Sequence, residues 1–218
     1  MIYSKLLSKH PEVFHGFTTK NFNRSIKNLV LAEQIHKDKI YQVKNKDRNK
    51  IIKGVDGLLT KKKGINLGIH TADCLPILFY EPKAKIVAAV HAGWKGTLLV
   101  ISSKMVKKIE SLGGKAKNII AVTGPHIRMC CYDVPKERAC LFEEKFGKDP
   151  RIISTIEGKP HLDLGYVNFL QLLKTGLKKD NLEVLPSCTF CNRQFFSFRR
   201  SKKEGDSYGE MLSIIGLL

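Results

Sequence analysis

Two apolar runs separated by four residues constrain this chain more than any other feature. CLPILFY (74–80) and KIVAAVH (85–91) each carry the near-continuous hydrophobicity of a strand buried on both faces, and Glu81, Pro82, Lys83 and Ala84 between them are turn-like. A hairpin with that loop sets Tyr80 against Lys85 and Cys74 against His91. Facing residues have Cβ atoms about 4.5–5.5 Å apart, a separation that suits two ligands of one transition metal. Pro76, with no N–H for a ladder, predicts an edge strand or a bulge beside the thiol. On residue type alone, a cysteine in such a strand is more often inert core and a strand-end histidine a satisfied polar group. Asp73 beside the thiol and the small-residue loop HAGWKGT after the imidazole tilt the reading toward a site, because carboxylate, thiol and imidazole then converge at one sheet end.

The rest of the chain supplies material to pack around this hairpin. Its 218 residues suit one domain with its own core. Short buried strands alternate with amphipathic segments, which predicts an α+β (mixed α/β) fold: a single compact domain with a layered, mixed β-sheet core flanked by helices. The clearest helix is 97–112, where Leu98, Ile101, Met105, Ile109 and Leu112 recur at spacings of three and four before Gly113-Gly114. Its N-terminus would lie by His91 and could accept an anion. Further helices are expected over 135–146, with Pro at the first turn, and over 165–178. NIIAVT (118–123) reads as a strand. FFSFRR (195–200) reads as a strand ending in paired guanidiniums, a suitable pair for phosphate.

Charge and cysteine usage narrow the setting. Thirty-eight Lys and Arg against 20 Asp and Glu give a net charge of +18, but the lysines are scattered in short clusters, which argues for a solvated surface and against a specific nucleic-acid role. No apolar run approaches the roughly 20 residues that span a bilayer, and MIYSKLLSKHPEVF lacks a signal-peptide core, so a cytoplasmic protein is expected. Six unevenly spaced cysteines read as reduced thiols, Cys130-Cys131 included. The C-x-x-C at Cys188 and Cys191 finds no second ligand pair at metal spacing and no βαβ setting for redox work, so it is assigned to the rim of the cleft.

TADCLPILFYEP, VAAVHAGWKGT, GPHIRMCCYDV, HLDL and SCTFCNRQFFSFRR, in that order, resemble the YfiH family, also labelled polyphenol oxidase or laccase-domain proteins, from about His15 to the C-terminus. The resemblance implies a layered α/β/β/α fold and a zinc-binding enzyme. It would phosphorolyse adenosine, inosine, guanosine and methylthioadenosine and deaminate adenosine. It also makes His36 the third metal ligand beside Cys74 and His91; read alone, His36 is a surface histidine. Lys20 and Glu210 stand where the family carries arginines.

Two imidazoles and a thiolate leave a fourth tetrahedral position open, as in catalytic zinc sites. Zinc lowers the pKa of bound water to about 7, which suits deamination. Phosphorolysis needs an oriented phosphate, for which Arg199, Arg200 and Lys95 are the candidates, and a proton for the leaving purine, for which Asp73 is nearest; His126 is a lining candidate. Copper is the alternative metal, because two histidines and a cysteine also form a blue-copper ligand set. A multicopper laccase would need many histidines, typically in H-x-H pairs; the chain has seven histidines and no such pair. A Cys–His hydrolase acting in peptidoglycan editing is the remaining alternative.

Overall fold

A computed structural model describes all 218 residues. The strands are β1 (Val13–Phe17), β2 (Leu29–Glu33), β3 (Ile40–Gln42), β4 (Ile51–Lys53), β5 (Gly57–Thr60), β6 (Ile65–Thr71), β7 (Leu75–Glu81), β8 (Ile86–Ala92), β9 (Ile120–Thr123), β10 (Ile153–Ile156), β11 (Lys159–Leu162), β12 (Leu182–Val184) and β13 (Met211–Leu217). The helices are α1 (Trp94–Leu98), α2 (Ile101–Glu110), α3 (Lys136–Phe146), α4 (Leu164–Lys174) and α5 (Phe198–Glu204). Two mixed sheets dominate, ordered β1-β13-β6-β2-β4 and β12-β9-β7-β8-β5-β3, with β10-β11 as a separate ribbon.

The sheets face each other. Leu67, Ile69 and Ile215 of the five-stranded sheet meet Leu58, Leu78, Tyr80, Val87 and Val122 of the six-stranded one in a common core. The alternate residues Ile77, Phe79, Ala88 and Val90 point the other way, into Ile101, Met105 and Ile109 of α2 and Leu172 of α4. Because β7 and β8 are covered on both faces, their sequences are apolar throughout. A third cluster joins α3 and α4 to the loops around Ile127, Tyr132 and Cys188. On the outer face of the five-stranded sheet, Leu29, Leu31 and Leu212 close over Gly68. Helices α2 and α4 on the six-stranded sheet, and that sheet on the five-stranded one, form three successive layers.

Three local expectations change. The helix expected over 97–112 starts earlier, at Trp94, and breaks at Val100, whose backbone is left-handed (φ 54°), so that α1 is only five residues long; one turn offers no N-terminal anion site. FFSFRR turns at Ser197, whose hydroxyl accepts from the Arg200 N–H and caps α5, so Arg199 and Arg200 are helical. Pro76 lies inside the sheet, between β8 and β9, with no bulge. It is tolerated because its polar edge faces β9 where that pairing only begins: its carbonyl accepts from Gly124 N–H, and the ladder starts at Ile77.

Candidate metal centre

The hairpin carries two ligands, in a register two residues removed from the expected one. Glu81 stays in the strand because its buried carboxylate accepts from Ala84 N–H (2.5 Å) and Asn118 Nδ2 (3.0 Å). Lys85 closes the loop in a left-handed conformation, and Pro76 pairs with His91. Cys74 thus lies diagonally from His91, and an even shift keeps both on one face. His36 joins from the segment after β2, at φ 57°. One ligand atom from each of His36, Cys74 and His91 lies within 4.8 Å of the others, and the two imidazoles meet edge to face at 4.7 Å between centroids. Gly93 makes room for them: a Cβ there would sit 3.2 Å from Cys74 Sγ and 3.5 Å from both rings.

Asp56, fully buried just ahead of β5, organises the three. Its Oδ1 lies 2.8 Å from His91 Nδ1 and accepts from His36 N–H at 2.9 Å, its Oδ2 accepts from Lys37 N–H at 2.8 Å, and its carbonyl accepts from His91 N–H. The carboxylate fixes the proton of His91 on Nδ1 and leaves Nε2 for a metal, while holding the backbone of the His36 turn. Burial opposes its charge, but the hydrogen bonds from His91 and the Lys37 and His36 amides keep its pKa below the usual carboxylate range. The same balance governs the ligands. Burial disfavours a thiolate at Cys74, yet His91 and His36 draw its pKa down to about 6; burial disfavours an imidazolium at His91, yet Cys74 and Asp56 raise it to about 9. A thiolate paired with an orientated imidazole fits a tetrahedral divalent ion.

Two lobes meet at this centre. One, of about 330 Å³, is lined by Gln34, His70, Phe198, Tyr208 and Glu210; the other, of about 340 Å³, by Asp73, Trp94, Tyr132, Arg138 and Arg199. His36, Ala72, Cys74 and Phe198 border both. Arg138 stacks over Trp94 at 4.3 Å, and its buried Nε has no partner. Arg199 is held against Asp133 through Nη1 and Nη2.

The other expected site residues divide. Asp73 lies at the centre, but three donors occupy its carboxylate: Thr189 Oγ1 at 2.6 Å, Ser197 Oγ at 3.0 Å and Arg199 N–H at 2.7 Å. It positions Cys74 and α5 and is poorly placed for proton transfer. Arg200 is 1 % exposed and borders neither lobe; Asp206 and the carbonyls of Thr189, Phe190 and Phe195 take its Nε, Nη1 and Nη2. Lys95 is exposed beside Trp94, outside both lobes. His126 is buried behind the cleft with Nδ1 2.8 Å from Gly124 O, so it lines nothing. Sequence reasoning missed Asp56, Arg138, Phe198 and Tyr208. A carboxylate directly before an apolar strand was the available signal for Asp56; the others converge only in three dimensions.

A model of the family described as multi-copper polyphenol oxidoreductase laccase matches residues 17–218. The chain belongs to this family. Among members of the polyphenol oxidoreductase laccase family, it is 33 % identical over 206 residues to the Bacillus subtilis protein named purine nucleoside phosphorylase YlmD, covering 90 % of this chain and 73 % of that one. It is 31 % identical over 182 residues to adenosine deaminase RL5 from an unknown prokaryotic organism, covering 79 % and 70 %. The crystal structure of YlmD from Geobacillus stearothermophilus superposes with a TM-score of 0.88 at 28 % identity, over 98 % of this chain and 94 % of that one.

Proposed function

We propose that the chain is a zinc-dependent purine nucleoside phosphorylase that also deaminates adenosine, with adenosine, inosine, guanosine and methylthioadenosine as its substrate class. The observation that carries this reading is the position of the His36–Cys74–His91 donor set at the junction of an aromatic lobe and a guanidinium lobe. The names of the relatives, a phosphorylase and a deaminase, support it.

His36, Cys74 and His91 would hold the ion, which when bound supplies Lewis acidity at the junction of the lobes. Phe198 and Tyr208, half-exposed or more and edge to face at 6.1 Å, offer a stacking wall for a purine. Glu210 beside the Tyr208 hydroxyl (3.3 Å) presents an acceptor to an exocyclic amino group. Across the junction, the guanidiniums of Arg138 and Arg199, which line the second lobe, take the phosphate, which bonds to C1′ as the C1′–N9 bond breaks. Asp73 holds Arg199 through its backbone N–H. Copper is the second reading for the metal, favoured by the donor set itself. A multicopper centre has no counterpart, since no cluster of potential ligands holds more than two histidines.

The test is product analysis. Adenosine with phosphate should give adenine and ribose 1-phosphate, and omitting phosphate should abolish both while inosine still forms. Arg199→Ala and Arg138→Ala should raise the KM for phosphate at least tenfold and leave deamination within about twofold, and Cys74→Ala should abolish both reactions. Equal losses in the two reactions would refute the assigned phosphate lobe. Turnover of a phenol with copper, and of no nucleoside, would refute the function.

A further inference from the structure

The structure brings Cys130-Cys131 to the C-x-x-C pair 60 residues downstream, supplying the second ligand pair that the spacing in sequence did not suggest. One sulfur from each of Cys130, Cys131, Cys188 and Cys191 lies within 4.8 Å of the other three; Cys131 and Cys191 are 3.2 Å apart, Cys130 and Cys191 3.9 Å. Zinc with Zn–S bonds of about 2.3 Å spaces tetrahedral sulfurs roughly 3.8 Å apart, within the range seen here. We propose that these four cysteines bind a structural zinc ion, separate from the His36–Cys74–His91 centre.

Three features support a closed metal site over a chance gathering of thiols. The donor set is all sulfur and complete at four, which selects a soft tetrahedral ion and leaves no open position for catalysis. The 188–191 turn is closed by Asn192 N–H donating to Cys188 O at 3.0 Å, and Cys188 bridges His126, so the C-x-x-C is built directly against the segment that carries the other two thiols. The site also lies where a brace is useful. The segments around 124–134 and 185–197 are irregular, tied by Thr189 N–H to His126 O and by Arg128 Nη1 to Leu185 O, over a cluster of only ten buried hydrophobic residues. Those segments supply Thr189 and Ser197 to Asp73 and Tyr132 to the cleft, and α5 with Arg199 follows directly. Metal-binding energy spent there is folding energy for one wall of the active site.

Metal analysis of the full chain, purified without added metal, tests this. Cys74→Ala empties the other centre by design and should retain one equivalent of zinc. The pair Cys188→Ser/Cys191→Ser should lose one equivalent relative to the parent. Cobalt titrated into metal-free Cys74→Ala should saturate at one equivalent with the intense visible bands of a tetrahedral tetrathiolate, a readout that stands even where the double variant fails to fold. A folded Cys74→Ala protein that holds no metal, and in which all five remaining thiols (the four here and the exposed Cys140) react freely with Ellman's reagent, would overturn the proposal. So would a mass two hydrogens lighter from a Cys131–Cys191 disulfide. Since Cys74→Ala reads only the four-thiol site, its failure is distinct from any failure of the zinc assignment at His36 and His91.

Discussion

Asp56 shows how one buried carboxylate can set the quality of a metal site without touching the metal. It fixes the tautomer of His91 and holds three consecutive amides, Ile35 to Lys37, that carry the His36 ring. Asp56→Asn should weaken zinc binding about 10- to 100-fold, the usual range for partners of ligating histidines, measured by competition with a chromophoric chelator. Unchanged affinity would mean that the strand alone orients His91. The adjacent arginines make the opposite contrast. Arg200→Met leaves three carbonyls without their donor and Asp206 with Lys20 alone, and should cost about 3–5 kcal/mol in urea unfolding. Arg199→Met loses one partly exposed ion pair and should cost about 1 kcal/mol or less. Similar losses for the two would show that Arg200 is not the anchor of the 189–200 segment.

At the scale of elements, the break between α1 and α2 is the informative departure. An amphipathic pattern runs unbroken through 97–112, yet the chain turns at Val100 so that α1 can start at Gly93, against the ligands, while α2 lies along β8. A β-branched residue in the left-handed region is strained by roughly 1–2 kcal/mol. Val100→Gly should therefore raise stability by about 1 kcal/mol, read as a higher urea midpoint at constant slope. A lower midpoint would show that the packing of the Val100 side chain outweighs its backbone strain. The switch of 195–200 from strand to helix has an equally local origin: Ser197 caps, and on the turn that follows both guanidiniums find acceptors.

Across the whole molecule, buried neutral histidines link stability to acid. His126, whose Nε2 has no partner, has a pKa lowered to about 4 by burial, and burial also lowers that of His15, whose Nε2 accepts from Ser4 N–H. Below the unfolded value near 6.5 the unfolded chain gains a proton that His126 in the fold does not take up, so stability falls from about pH 6.5 to pH 4 and is level above. The His126 share is on the order of 2–3 kcal/mol at pH 4.5. His126→Gln should flatten that part of the curve in urea titrations from pH 7 to pH 4.5; parallel curves would refute the assignment.

The sequence by itself determined the α+β class, the β7–β8 hairpin with its thiol and imidazole on one face, and the family. These rest on hydrophobic period and residue order, which are local. Cys74 and His91 survived a register error because a shift of two preserves the face of a strand. Tertiary structure alone decided the rest. It placed Asp56 beneath His91, it spent Arg200 on carbonyls while leaving Arg138 facing the cleft, and it carried Cys130-Cys131 to Cys188 and Cys191. Each depends on which distant segments share a surface once two sheets have closed on a common core, and no spacing along the chain encodes that distance.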